Sequence, residues 1–153
     1  MNTTNQCVAA HLHRLHDFLV IGGYDEVHAR PYARLGMVIA QHPEDVGLLA
    51  KERRLKRIPG LGWKIERTIM EFLKTGTSEK FEAFARTTPL TVMDLLKIPG
   101  VGVKTARVLF LGFNIGSPAA LKQALDEGWL EATGVFKPNL LARIRHHLEE
   151  APD

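Results

Sequence analysis

Apolar positions recur at helical spacing along almost the whole of this chain. Val8, Leu12, Leu15 and Leu19 follow one another at steps of 4, 3 and 4, which is one face of a helix. Gly22-Gly23 predicts its end. Pro31 is expected in the first turn of a second helix, which carries Leu35, Val38 and Ile39 inward and stops before Pro43. A short helix over 44–50 leads into a basic run. Ile65, Ile69, Phe72 and Leu73 form the next stripe, closed by Gly76, and Ser78 is expected to cap a short helix holding Phe81, Phe84 and Ala85. Thr87-Thr88-Pro89-Leu90 interrupts the pattern. Beyond it the plan repeats: a short helix over 91–96, a helix with Val103, Ala106, Leu109 and Phe110, a start at Gly116-Ser117-Pro118, and a last helix with Leu140, Ile144 and Leu148. No stretch alternates like a strand. The expected fold is all-α, with one helical subdomain over 1–88 and another over 89–153.

Between the stripes the chain repeats itself. Ile58-Pro59-Gly60-Leu61-Gly62-Trp63-Lys64 and Ile98-Pro99-Gly100-Val101-Gly102-Val103-Lys104 stand 40 residues apart, and each has an arginine three residues on, Arg67 and Arg107. Proline ends what precedes it, and the glycines allow φ > 0 and a close approach of backbone to ligand. The helix that follows opens with N–H groups lacking acceptors and the positive end of its dipole, a setting for phosphate. Lys64 and Lys104 fall in that first turn. A single copy reads equally well as an ordinary turn; two matched copies point to paired helix-hairpin-helix elements, which grip the DNA backbone without reading bases. Gly134-Val135-Phe136-Lys137 reads as a degenerate third copy. The DNA-contacting set expected from this pattern is Gly60, Gly62, Trp63, Lys64, Arg67, Gly100, Gly102, Lys104 and Arg107. Valine at Gly60 or Gly100 is expected to strain the turn while the helices survive.

Net charge is only +3, so the balance of the whole chain says little. Its distribution says more: seven basic residues lie between Lys51 and Arg67 against Glu52 and Glu66. No apolar run is long enough for a membrane span, and residues 1–6 do not read as a secretory signal. Cys7 stands alone, which fits a reducing, cytoplasmic setting. His11, His13 and His16 read as a solvated helix face rather than a metal site. His146 and His147, with Arg143 and Arg145, read first as an exposed charged face. For Trp63, stacking on an unpaired base and packing on a helix remain equal readings.

With these residues in place, the chain resembles the N-terminal region of the family X DNA polymerases, especially bacterial members. The resemblance rests on Tyr32, Pro43, both glycine hairpins, Thr75-Gly76 and the stretch from Leu96 to Ala106, and it spans nearly the whole chain. It implies a DNA polymerase beta N-terminal-like fold: a lyase-type domain, then a helix-hairpin-helix domain. It implies a 5′-phosphate pocket made of His28, Tyr32, Lys56, Lys64 and Lys80. It also implies a monovalent cation, Na⁺ or K⁺, held by the backbone carbonyls of Lys56, Ile58 and Leu61 in one hairpin and of Leu96, Ile98 and Val101 in the other. No other cofactor is expected.

Two departures shape the functional expectation. Thr68 stands where lyase-active relatives carry the imine-forming lysine, and threonine offers no amine. No acidic pair has the setting of the two-metal polymerase site, so nucleotide polymerisation is not expected. The ends of the chain favour a stand-alone module over a fragment. The expectation is a monomeric, sequence-nonspecific DNA-binding protein with no catalytic residue, acting at gaps, nicks or 5′-phosphate ends in repair. The alternatives are an abasic-site or 5′-deoxyribose-phosphate lyase, and a DNA-binding subunit of a separate repair polymerase or nuclease.

Overall fold

The stripe that starts at Val8 forms α1 (Thr3–Ile21), the longest helix in a computed structural model that describes residues 2–150. Leu12, Leu15, Phe18 and Leu19 are fully buried along it. Helix α2 (Glu26–Ala40) begins earlier than its proline suggests. Asp25 caps it, its Oδ1 accepting from the N–H groups of Val27 (2.8 Å) and His28 (3.3 Å). Pro31 therefore lies inside the helix, in its second turn, and leaves the Val27 carbonyl without the usual donor. The cap outweighs the proline as a start signal.

Helix α3 (Val46–Lys51) is tied back to α1 through Asn5. The buried Asn5 amide donates to the carbonyls of His42 (3.2 Å) and Glu44 (2.9 Å), and its Oδ1 accepts from the N–H of Val46 (2.9 Å). A buried amide with its bonds made fixes the α2–α3 connection. The end of α3 is a Schellman turn. The N–H of Arg53 donates to Ala50 O and that of Arg54 to Leu49 O, with Arg53 at φ 59° in the left-handed position that glycine normally takes. A 3₁₀ turn, Leu55–Arg57, then leads into the first glycine hairpin and α4 (Trp63–Thr75), closed by Gly76 at φ 83°. Helix α5 (Glu79–Ala85) packs against α4. Ser78 precedes it but makes no side-chain cap. Its hydroxyl is buried in a hydrogen bond with His11 Nε2 (2.9 Å).

That bond corrects the reading of His11 as solvent-facing. The ring is buried and stacks on Phe72, 4.6 Å between centroids. Its position, three residues from Val8 and four from Leu15, sets it within the apolar stripe. Burial, with a smaller push from Arg14, holds its pKa below the ordinary histidine value. His13 lies against Gly36, where an added Cβ would come within 2.9 Å of its ring.

The chain divides into two compact units, Met1–Val20 with Tyr24–Thr87, and Ile21–Gly23 with Thr88–Asp153. In the second unit a 3₁₀ segment, Leu90–Lys97, replaces the expected short α-helix. The helix after the second hairpin is α6 (Val103–Arg107), which passes into a π-helical segment, Val108–Gly112. Ser117 caps α7 (Pro118–Glu127) through its hydroxyl, which accepts from Ala120 N–H (3.0 Å), and Gly128 at φ 80° ends it. The short α8 (Trp129–Ala132) and α9 (Pro138–Glu150) flank Gly134, at φ 71°. Helix α7 packs against both α8 and α9, and Leu121, Leu125, Leu130, Leu141 and Ile144 are buried in this unit. The fold is all-helical, with no strand among the described residues and no described helix long and apolar enough to cross a membrane.

Candidate nucleic-acid interface

Both glycine hairpins are built alike in their backbone. Gly60 has φ 79° and Gly100 φ 90°, conformations that side chains rarely adopt. The N–H of Leu61 donates to Ile58 O (3.3 Å) and that of Val101 to Ile98 O (3.0 Å), closing each turn. Gly62 and Gly102 are extended N-caps without a side-chain cap. The opening N–H groups of the following helices are thus left to water or a ligand. No heavy atom lies within 4 Å of a Cβ built at Gly60, Gly62 or Gly102.

The two differ in what surrounds them. A Cβ at Gly100 would meet Leu140 Cδ1 at 2.9 Å and Arg143 Nη2 at 3.7 Å, both from α9. Arg143 is thereby set beside the second hairpin, a neighbour that sequence spacing does not show. Its near neighbour Arg145 is otherwise engaged. It donates to Leu125 O (2.6 Å) and pairs with Glu131 (2.9 Å) and Asp126 (3.3 Å), and the Glu131 bond raises its pKa. Arg107 is half-buried, whereas Lys104 is exposed.

In the first unit α2, α4 and α5 converge on the start of α4. Tyr32, Lys64, Thr68 and Lys80 line one cavity of about 320 Å³. His28, Tyr32 and Lys64 line a second, of about 300 Å³, with Gly60 and Gly62 at its edge. Of the five residues implied for a 5′-phosphate pocket, four therefore gather around Tyr32 and Lys64. Lys56 does not join them; it lines a separate cleft with Arg53 and Met70. The reason is local: Lys56 sits in the 3₁₀ turn before the hairpin, while the others come from the helices behind it.

Two features of this site carry no sequence motif. Tyr24 is one: Lys80 Nζ donates to its hydroxyl (3.0 Å) and stands 4.5 Å from its ring centroid. The other is acidic. Arg67 pairs with Glu79 (3.1 Å) and Glu71 (3.4 Å), both of which line the first cavity. Arg67, expected to reach DNA, thus has part of its charge spent on carboxylates. Lys64 makes no ion pair among the described residues; its Nζ stands 5.7 Å from the Trp63 ring centroid. Burial raises the pKa of Tyr32, against the opposing pull of Lys80, so its hydroxyl stays a donor at neutral pH. His28 is exposed, with Nδ1 3.5 Å from Asp25.

Thr68 is buried, and its Oγ1 donates to Lys64 O (3.3 Å). It turns back onto its own helix and presents no nucleophile to the cavity. Trp63 is 69% exposed, which answers the packing alternative: the indole is not covered by a helix. No group of three metal-binding side chains occurs among the described residues.

Residues 92–144 match the family described as a SAM-like helix-hairpin-helix tandem. The matched stretch holds the second glycine hairpin and the Gly134 turn; the first hairpin lies outside it. Among curated proteins, none matches the chain in sequence.

Proposed function

We propose that the chain binds DNA by its sugar-phosphate backbone, without reading sequence, and seats a 5′-phosphate at a gap or nick in its first unit. The observation that carries the reading is the convergence of Tyr32, Lys64 and Lys80 on the uncapped start of α4. Two ammonium groups, a phenol donor and helix N–H groups suit a phosphate. The second hairpin, with exposed Lys104 and with Arg143 beside Gly100, adds backbone contacts that carry no sequence information.

A monovalent cation fits the hairpins on donor chemistry. The Ile58 and Ile98 carbonyls each accept one turn bond and keep a second lone pair, and oxygen donors suit hard cations. The implied carbonyl sets are those of Lys56, Ile58 and Leu61, and of Leu96, Ile98 and Val101. The cation would add positive charge beside a bound phosphate. Thr68 argues for binding rather than lyase chemistry.

The test compares gapped duplexes that differ only in a 5′-phosphate or 5′-hydroxyl. A charge-assisted contact contributes about 1.5–3 kcal/mol, so the phosphate end should bind at least tenfold tighter. Lys64→Ala should erase most of that gain. The slope of log affinity against log salt should have magnitude of roughly 3 to 6. Equal affinity for the two ends would reduce the site to a general basic surface. Abundant borohydride-trapped adduct on abasic DNA, lost in Lys64→Ala, would make the protein a lyase instead.

A further inference from the structure

The cleft that takes Lys56 away from the phosphate pocket has a composition of its own. It holds about 440 Å³, between the end of α3 and the start of α4. Trp63 forms one wall, Met70 and Leu55 supply apolar surface, and Arg53 and Lys56 supply charge. The four cations of the 53–57 run are sorted by this geometry. Arg54 pairs with Glu52 (3.3 Å) and Arg57 with Glu44 (3.5 Å). Arg53 and Lys56, the two that line the cleft, make no ion pair among the described residues. Trp63 and Met70 are 69% and 45% exposed, so an indole and a thioether border the cleft as open apolar surface.

We infer that this cleft is a seat for one unpaired nucleobase of a single-stranded segment beside the duplex. The inference deepens the proposed DNA binding and rests on it. The lining joins an exposed indole, apolar surface and the Glu66 carboxylate to the cations, and a nucleotide uses each of these. Its base stacks on the indole and contacts Met70 Sδ, its ring N–H or amino group donates to Glu66, and its flanking phosphates meet Arg53 and Lys56. Trp63 also lines both cavities around Lys64. A strand whose 5′-phosphate is held there passes within reach of the cleft.

The test uses the full chain and two duplexes with identical short single-stranded tails, one of thymidines and one of base-free sugar-phosphates. Charge and length are equal, so the ratio of affinities isolates the base. The thymidine tail should bind about tenfold tighter or more, and the ratio should be insensitive to salt. Trp63→Ala should bring the ratio close to one, while Trp63→Phe, which keeps a stacking ring, should retain most of it. Trp63 is exposed enough that neither change threatens the fold. Equal affinity for both tails in the unaltered chain, or a preference that persists in Trp63→Ala, would overturn the seat while leaving backbone binding intact. Failure to bind either duplex would strike the proposed function itself, and the seat with it.

Discussion

The two glycine hairpins share Ile, Pro, both glycines and the lysine, yet they are not equivalent sites. The tip of the first is open: no atom approaches Gly60, Leu61 is half-buried, Trp63 projects outward, and a 13-residue helix follows. The tip of the second is overlaid: Leu140 and Arg143 of α9 close on Gly100, Val101 is buried, and the five-residue α6 passes into a π segment. One motif therefore does two jobs. In the first unit it presents a surface to ligand. In the second it also forms part of the packing.

The largest expected effect breaks or confirms that distinction. Valine at position 60 meets only the strain of a left-handed backbone, about 1–2 kcal/mol. Valine at position 100 meets similar strain and must also displace Leu140, which adds about 1–3 kcal/mol of overpacking. Gly100→Val should thus cost about 3 kcal/mol of stability and should unsettle α9. Denaturant midpoints of the two variants measure the difference. Adding Leu140→Ala should recover about 1 kcal/mol in the Gly100 background and nothing in the Gly60 background. Equal losses at the two glycines would mean that α9 does not constrain the second hairpin.

Next comes the division of labour on DNA. Lys64→Ala should remove about 2 kcal/mol of the preference for a 5′-phosphate end. Lys104→Ala should weaken all duplexes alike and leave that preference in place. A Lys104→Ala variant that loses the preference would make the two hairpins joint owners of the phosphate.

What the sequence made legible follows the same line. The hairpins and their positive-φ glycines could be read directly, because Pro-Gly-x-Gly has few conformational options. The gathering of Tyr32, Lys64 and Lys80 was reachable only through resemblance, since 48 residues separate the first from the last. Tyr24 was invisible: it follows a glycine pair with no motif, and its partner Lys80 lies 56 residues away. Arg67 looked like a ligand because its carboxylate partners sit on two helices. His11 differs again: its place within the apolar stripe is legible, but the single hydroxyl that lets a buried imidazole replace solvent comes from Ser78, 67 residues away.

His11 sharpens the contrast between the units in another way. The first unit buries Asn5, His11, Thr68 and Ser78, whereas Thr88 is the only buried polar residue of the second among those described. Ser78→Ala would strand the His11 nitrogen, at a cost of about 1–2 kcal/mol. The same ring makes the first unit acid-sensitive. Its pKa is depressed by folding, so the unfolded chain takes up a proton that the folded chain resists. The stabilisation is complete above about pH 6.5 and is lost as pH falls through that value toward the lower folded one. The chain holds two tryptophans, Trp63 in the first unit and Trp129 in the second. Single-tryptophan variants, Trp129→Phe and Trp63→Phe, therefore report each unit separately. Just below pH 6.5, above the range in which Asp25 and Asp45 with their lowered pKa values titrate, the Trp63 signal should show a pH-dependent midpoint that disappears in His11→Gln, and the Trp129 signal should lack it. An acid shift that survives His11→Gln would assign the sensitivity elsewhere.

The smallest effect tests whether the open hairpin is approached at a conformational cost. The described residues include two non-glycine positions with positive φ, one in each unit: Arg53 at 59° and Asn114 at 56°. Asn114 follows the π segment, and its N–H donates to Phe110 O (3.0 Å). Asparagine tolerates this conformation well, so Asn114→Gly should change stability by no more than a few tenths of a kcal/mol. Arg53 has no such tolerance. Its left-handed backbone costs about 1–2 kcal/mol, and glycine there would relieve it. Against that relief stands the greater freedom of glycine in the unfolded chain, about 0.5–1 kcal/mol. The balance is a net stabilisation of about 0.5–1 kcal/mol for Arg53→Gly. DNA binding should weaken in the same variant, because the side chain that lines the Trp63 cleft is gone. Stability rising while affinity falls is the signature of a residue kept for its ligand. If Arg53→Gly is destabilising, or if it stabilises with no loss of affinity, position 53 is simply an imperfect helix end, and the asymmetry between the hairpins lies in packing alone.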